Sequence, residues 1–321
     1  MYPRTQHLSF TGVPSPSRSL HHSTPRTESP WSPSSTVSLD PFVGWLLAHA
    51  GLDATCYRAS ALARRLPACL RALRTTSTAQ ARLRLERDPT LVPQAIDALL
   101  LGVTEFFRDP AVFTALRERV LPLVRTLALD QPIRIWSAAC SNGAELYSVA
   151  LLLAEAGLLD RVRLLGTDCR ASAIRQARDG VYPLAAIRDV DRARFPGLVS
   201  VDGAHVRIAG PLRERVDWEV RDVLRTPTAG TWDLVLWRNM AIYLEPTAAR
   251  EAWARMTDAL VVGGFLVTGK AESPPAGETW LRTGPCIHRK RVPRPSSESR
   301  ILRLATTAAA RDHARFPTAR L

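Results

Sequence analysis

Cysteine is scarce and unpatterned. The five residues Cys56, Cys69, Cys140, Cys169 and Cys286 are odd in number, widely spaced and never arranged as C-x-x-C. A disulfide scaffold or a zinc ribbon is therefore excluded as the organising principle, and a reducing compartment fits best. The seven histidines do not cluster with them, so no metal site is expected. Long hydrophobic runs are missing as well: residues 147–159 form the longest apolar stretch, Glu155 interrupts it, and a membrane span needs about 20 residues. No apolar run follows the first basic residue, so the start of the chain does not read as a secretion signal. A cytoplasmic protein, not inserted in a membrane, is expected. Neither G-x-G-x-x-G nor G-x-x-x-x-G-K-[ST] follows a strand, so a pyrophosphate or triphosphate cradle is not indicated. A Ser-His-Asp or Cys-His arrangement is absent too.

What is present is a chain long enough for two folded units, or for one with appendages, at about 150 residues per domain. Its 43 Lys and Arg exceed its 30 Asp and Glu, for a net charge of +13. Such an excess implies an acidic partner, whether nucleic acid, an anionic membrane surface or an acidic protein, without choosing among them. Residues 1–38 are dense in Ser, Pro, Thr and Arg and poor in aliphatics. They cannot bury enough apolar surface to offset chain entropy and are expected to be disordered. The same holds for 291–321, a basic tail that is either simply solvated or a tether.

Residues 39–125 read as a helical domain. Phe42, Leu46 and Leu47 begin a 3.6-residue period that Gly51 can stop, and Leu62, Leu66, Leu70 and Leu73 form a second stripe. Pro67 inside that stripe is expected to kink or shorten its helix. A third helix opens at Asp88-Pro89. From Ile133 the texture changes. Apolar strands at 133–137, 162–166, 216–220, 233–237 and 264–268 alternate with helices near 144–157, 171–179 and 246–260. That alternation predicts an α/β fold with a doubly wound parallel sheet over 126–290, interrupted by a small inserted subdomain at 181–215.

In such a sheet, ligands sit at the carboxyl ends of the strands. The first strand runs into the small-residue turn Ser141-Asn142-Gly143, which lets a ligand approach the backbone. The second ends in Asp168, an acid at the spacing from which a ribose diol is commonly held. A ribose without a phosphate cradle suggests an adenosyl ligand such as S-adenosylmethionine. Asp168 as a helix N-cap is the plainer alternative.

Six segments, read together, resemble one family. They are Val103-Thr-Glu-Phe-Phe-Arg-Asp109, Trp136-Ser-Ala-Ala-Cys-Ser-Asn-Gly-Ala-Glu-Leu-Tyr-Ser148, Leu236-Trp-Arg-Asn-Met-Ala-Ile-Tyr243, Gly269-Lys-Ala-Glu-Ser273, Gly51-Leu-Asp with Tyr57-Arg58 and Arg64-Arg65, and Arg178-Asp-Gly-Val-Tyr182. In that register they are similar to the N-x-T-x-F-F-R, W-S-A-x-C-S-T-G-E-E-P-Y-S, C-R-N-V-x-I-Y-F and G-H-S-E segments, the helical N-terminal region and the A-R-x-G-x-Y segment of the CheR family, the chemotaxis receptor protein-glutamate O-methyltransferases. The resemblance runs over roughly residues 40–290.

The resemblance implies a Rossmann-like class I methyltransferase fold. It also implies methyl transfer from S-adenosylmethionine to glutamate carboxylates of chemoreceptors, in chemotaxis adaptation. Thr104 and Arg108 match positions at the methionine end of the cofactor. Gly143 lies in the loop that meets it, and Glu145 accepts from its ammonium or ribose. Asp168 takes the ribose, and Asp222 and Val223 the adenine. Arg238 and Asn239 match a pair beside the reacting centre, and Tyr243 lines the acceptor pocket. The acidic helical bundle of a methyl-accepting receptor would dock on Arg64, Arg65, Arg71 and Arg74, and so recruit the protein to membrane receptor arrays. Plainer roles stand beside these: core packing for Phe106, Phe107, Tyr147 and Tyr243, dipole complementation for Glu145, a salt bridge for Arg238, a solvated helix face for the arginines.

A carboxylate acceptor is ionised at neutral pH and needs no general base, so the missing triad is consistent with this chemistry. The chain also departs from the family. Gly102 replaces an Asn, Asn142 a Thr, Ala144 a Glu, Leu146 a Pro and Lys270 a His, and each lost polar contact costs about 0.5–1.5 kcal/mol. These departures leave open a catalytically impaired protein that senses cofactor or binds a partner. The net charge leaves open nucleic-acid binding, against which no N/D-P-P-Y motif is found.

Overall fold

The computed structural model describes residues 38–100, 102, 104–127, 131–187, 190–226, 230–277 and 279–292. Apart from Ser38, Arg291 and Val292, the two segments expected to be disordered lie outside the described residues.

Four helices open the fold: α1 (Pro41–His49), α2 (Ala59–Ala72), α3 (Thr78–Arg87) and α4 (Val92–Leu99). The Asp40 carboxylate caps α1 by accepting from Phe42 N at 2.8 Å, and Gly51 takes φ +72° just past its end, where a side chain would be strained. Helix α2 runs unbroken through Pro67, contrary to the expected shortening. Pro67 and Ala63, whose carbonyl it leaves without a donor, both lie on the exposed side, so water can serve that oxygen. Helix α3, which the apolar pattern did not announce, buries only Ala81 and Leu85.

Helix α5 (Pro110–Ala115) passes through a π turn into α6 (Leu121–Leu127). The alternating part then runs β1 (Ile133–Ala138), α7 (Ala144–Glu155), β2 (Val162–Asp168) and α8 (Ala171–Asp179). An insertion follows, with β3 (Val181–Pro183), β4 (Val199–Asp202) and β5 (His205–Ile208). These pair antiparallel as a separate sheet in the order β3-β5-β4. After α9 (Gly210–Arg213) come β6 (Val216–Val220), β7 (Trp232–Trp237), α10 (Pro246–Asp258), β8 (Leu260–Thr268), β9 (Trp280–Gly284) and β10 (Ile287–Lys290).

The main sheet has the order β6-β2-β1-β7-β8-β10-β9. It is parallel from β6 to β8, and β10 is antiparallel to both neighbours. This is the doubly wound α/β arrangement expected from the alternating strands and helices. Strand order reverses on either side of β1, the place where such sheets open a crevice.

The period of two along each strand sorts side chains to two cores. Ile133, Ile135, Leu234, Leu236, Phe265 and Val267 face one side and pack with α5, α6 and α7. Trp136, Leu165, Val235, Trp237 and Leu266 face the other, in one cluster with Phe42, Leu46 and Leu47 of α1, Leu62 of α2 and Ile96 of α4. The opening helices thus share a core with the sheet. Polar ties reinforce the contact. Tyr57 forms an antiparallel bridge with Leu244, Arg58 N donates to Tyr243 O at 2.9 Å, Glu245 N donates to Cys56 O at 2.9 Å, and Ser172 Oγ donates to Asp97 Oδ1 at 2.6 Å.

Trp218 of β6 lies across Gly166 of β2 and Gly143, the residue before α7. A Cβ would come within 2.3 Å of the ring at 166 and 2.4 Å at 143. Gly143 also has φ +84°. Gly143→Ala is therefore expected to destabilise by about 1–3 kcal/mol from backbone strain alone. Adding Trp218→Leu should recover only the steric part, as read from urea midpoints of the single and double variants. Full recovery would place the whole cost in the ring contact.

Candidate active site

At the switch point the carboxyl ends of β1, β2 and β7 converge on a cavity of about 230 Å³, roofed by α2 and the segment after α4. The turn after β1 is tightly wound. Ala139 and Ser141 take φ +54° and +53°, and Ser141 N donates to Asp168 Oδ2 at 2.8 Å. The other oxygen of Asp168 accepts from Arg170 N at 3.0 Å and Arg170 Nε at 3.1 Å. Asp168 thus joins two strand ends. It does not cap α8, whose cap position is Arg170.

The wall from β7 is built on Arg238, whose side chain is 1% exposed. Its guanidinium donates to Glu145 Oε2 at 2.9 Å, Asp109 Oδ2 at 2.7 Å, Arg108 O at 3.0 Å and Thr268 O at 3.3 Å. Of the five N–H donors of an arginine, one on Nη1 has no partner among the described residues. Glu145 also accepts from Ser137 Oγ at 3.1 Å, and Asp109 pairs with Lys270 at 2.6 Å. The salt-bridge role open to Arg238 in the sequence is therefore realised, at the cavity's edge.

Asn239 takes φ +58°. Its strained backbone is held by Glu272, which the sequence reading did not single out. Glu272 is buried and accepts from Asn239 N at 2.6 Å, Gly269 N at 2.9 Å and Ile242 N at 3.3 Å. Burial raises the pKa of its carboxyl despite these bonds. The signal lay in the Gly269–Ser273 motif, where an acid follows a strand end. Gly269 must lack a side chain because a Cβ would lie 2.6 Å from Asn239 Nδ2.

Of the expected site residues, Thr104, Arg108, Glu145, Asp168, Arg238, Asn239 and Tyr243 all line the cavity. Gly143, Asp222 and Val223 do not. Gly143 is under Trp218, and Val223 is buried. Asp222 accepts from Leu224 N at 2.9 Å, and its charge adds to the burial that raises the pKa values of Tyr57 and Cys169, both of which face the cavity. The four arginines of the opening helices divide. Arg65 lines the cavity and donates to Ala98 O at 3.2 Å, whereas Arg64, Arg71 and Arg74 are exposed.

The donor set suits an adenosyl amino acid. Asp168 offers a carboxylate, Arg108 a guanidinium and Glu145 an acid at a helix N-terminus. Tyr57, 5% exposed, lines the cavity, and its hydroxyl makes no hydrogen bond to another described residue, so a ligand or water can serve it there. No cluster of His, Cys, Asp and Glu fit for a metal occurs among the described residues, and no described helix is long and apolar enough to cross a membrane.

Two predictions follow from this geometry. Arg238→Met leaves the largely buried Glu145 with only the Ser137 hydroxyl and Asp109 with only the exposed Lys270, and should cost about 3 kcal/mol in urea unfolding; Arg238→Lys, lacking the fork, should recover part of that. For Glu272, the folded protein keeps a proton at a pH where the unfolded chain has lost it. Its contribution to stability is therefore present below the ordinary glutamate pKa and is lost as pH rises through the raised value. The unfolding free energy of the native sequence minus that of Glu272→Gln should fall as pH is raised from about 4. A flat difference would show that burial of this carboxyl has no energetic effect.

The family model described as CheR methyltransferase, SAM binding domain, matches residues 102–288. A putative methyltransferase Cher3 of Pseudomonas putida is 29% identical over 248 residues, 75% of this chain and 90% of that protein. A chemotaxis protein methyltransferase of Vibrio parahaemolyticus is 33% identical over 195 residues, 58% of this chain and 70% of that protein. Among solved structures, the N-methyltransferase NodS of Bradyrhizobium japonicum is 17% identical, with a TM-score of 0.32 over 57% of this chain and 99% of that one. The match covers more than half of the sequence and all three strand ends at the cavity, and the chain belongs to the CheR methyltransferase family, with S-adenosylmethionine as its cofactor.

Proposed function

We propose that the protein is a protein-glutamate O-methyltransferase that modifies chemoreceptor glutamates in chemotaxis adaptation. The observation that carries the proposal is the meeting of Asp168, Arg108, Glu145 and the Arg238-Asn239 wall around one cavity, in a chain of this family. Asp168 would hold the ribose. Arg108 would take the amino-acid carboxylate through paired hydrogen bonds, with Thr104 beside it, and Glu145 would take the ammonium. Asp222 and Val223 are outside the cavity lining; they stay the proposed adenine contacts because the charge of Asp222 acts on Tyr57 and Cys169, which line it. When bound, S-adenosylmethionine supplies an electrophilic methyl group on a sulfonium.

The chain's own residues suit a transfer that needs no base. Tyr57, Cys140 and Cys169 line the cavity, and burial raises the pKa of each, so they stay protonated at neutral pH. An acceptor carboxylate arrives already ionised. What remains for the protein is to orient the acceptor and exclude water, since a reaction that neutralises opposite charges is slowed by solvation of the separated ions. Asn239 and Tyr243 are placed for the first task, and the shared core beneath α2 for the second. Tyr243 is 39% exposed, which suits a residue at the mouth where an acceptor enters.

Exposed Arg64, Arg71 and Arg74 would attract a Glu-rich receptor segment, chiefly by steering. Recruitment to membrane receptor arrays follows from such docking and belongs to the same proposal.

The test is transfer of tritiated methyl from S-adenosylmethionine to chemoreceptor-bearing membranes of the source organism. Base-labile label on the receptor is expected, and Asp168→Ala should abolish it. Binding of S-adenosylhomocysteine without any transfer would favour the impaired, cofactor-sensing alternative. No binding at millimolar ligand would end both readings.

A further inference from the structure

Arg170 has no part in the scheme above, yet its side chain is 9% exposed and lines the same cavity. Nε donates to Asp168 Oδ1 at 3.1 Å and Nη2 to Ser141 Oγ at 3.0 Å. Nη1 has no hydrogen-bond partner among the described residues. The Ser141 hydroxyl in turn donates to Gly102 O at 3.2 Å.

Gly102 is what admits this arrangement. A Cβ there would stand 2.6 Å from Ser141 Oγ and 2.9 Å from Arg170 Nη2. The guanidinium occupies the space that a side chain at 102 would take, so the two positions are coupled. The site also favours the charge: burial works against it, but Asp168 more than compensates, and the arginine's pKa is raised.

We propose that Arg170 is a nucleoside-binding residue which, with Asp168, reads the ribose diol of the cofactor; this rests on the cofactor site proposed above. A hydroxyl is a donor and an acceptor at once, whereas an ionised carboxylate only accepts. Asp168 alone satisfies the donor half of a diol. A guanidinium fixed against that carboxylate, with one nitrogen unspent, satisfies the acceptor half. A site that hydrogen-bonds a hydroxyl in both senses rejects an analogue lacking it, because its own buried groups are left unpaired. Gly102, seen from sequence as the loss of a ligand contact, is then the condition for gaining another from a different strand end.

The test is calorimetry of the full chain with S-adenosylhomocysteine and with its 2′-deoxy and 3′-deoxy analogues. The native protein should prefer the ribose ligand over at least one deoxy analogue by about tenfold or more. Arg170→Lys keeps a cation beside Asp168 and so preserves the fold, but it lacks the free Nη1; it should cut that preference severalfold while changing affinity for the disfavoured deoxy ligand little. Arg170→Ala should do the same or more. Gly102→Asn should displace the guanidinium and lower the preference alike, and the double variant Gly102→Asn/Arg170→Ala should be no worse than the poorer single one.

A ribose preference unchanged in both Arg170 variants, with circular dichroism showing them folded, would overturn the proposal and leave Arg170 as a structural partner of Asp168. Additive losses in the double variant would overturn the coupling to Gly102. If the native chain fails to bind S-adenosylhomocysteine at all, the cofactor site itself fails, which is a different result from binding without discrimination.

Discussion

The cavity depends on a buried positive charge that cannot be moved. Arg238 leaves the end of β7 and meets, at hydrogen-bond distance, the carbonyl of Arg108, the carboxylates of Asp109 and Glu145, and the carbonyl of Thr268. Those four partners belong to the segment before α5, the first turn of α7 and the end of β8. Desolvating a guanidinium is costly unless its donors are met and its charge is balanced. Two largely buried carboxylates and two carbonyls achieve both. A carboxylate at a helix N-terminus, as Glu145 is, would be favoured there anyway; pairing it with Arg238 also fixes where its oxygens lie. The loop carrying Thr104 and Arg108 is thereby set against the sheet at one register.

A second constraint comes from the opening helices. Cys56, Tyr57 and Arg58 run antiparallel to residues 243–245, with backbone bonds in both directions. Arg58 Nε adds a bond to Leu244 O at 2.8 Å. The strip carrying Tyr243 is therefore held from outside by the helical part and from inside by Glu272, which fixes the backbone N–H groups of Asn239 and Ile242. Asn239 pays strain for its left-handed backbone, and two independent sets of bonds offset it. The loop carrying Asn239 and Tyr243 is in this way tied to the fold from two sides.

Much of the sheet was legible because its strands are short, nearly continuous apolar runs, as expected of strands covered on both faces. The strands at 133, 162, 216 and 233 begin within a residue of where the pattern placed them; β8 starts earlier, at Leu260. Strands β9 and β10 were not, because the antiparallel end of the sheet, β9 at its edge and β10 beside it, is half-exposed and carries mixed polarity. Pro67 did not shorten α2: the carbonyl it orphans is on the exposed side, and that exposure is invisible in sequence. The same limit applies to arginine. Arg64 and Arg65 are neighbours and read alike, but successive helix positions point about 100° apart, which sends one to solvent and the other to the cavity. Family motifs gave the convergent acids and Arg108. They did not separate residues that touch the cavity from those, such as Gly143, that hold its wall together.

The departures from the family pattern are better understood as exchanges of partner than as subtractions. Lys270, in place of a histidine, pairs with Asp109, the acid that already balances Arg238. The lysine is 71% exposed, so the pair contributes little stability; its effect is to set a second cation against Asp109, one on each carboxylate oxygen. Ala144 and Leu146, in place of a glutamate and a proline, are fully buried in the core beneath α7, where they extend the apolar face of that helix. Gly102 gives up a side chain, and the space is filled by a guanidinium from the end of β2. Counting lost contacts at a fixed cost each would have predicted a weakened site. Following the vacancies at 102 and 270 to the groups nearby shows polar atoms met by other residues of the same chain; among the described residues, the Tyr57 hydroxyl, one Nη1 hydrogen of Arg238 and the Nη1 of Arg170 have no hydrogen-bond partner.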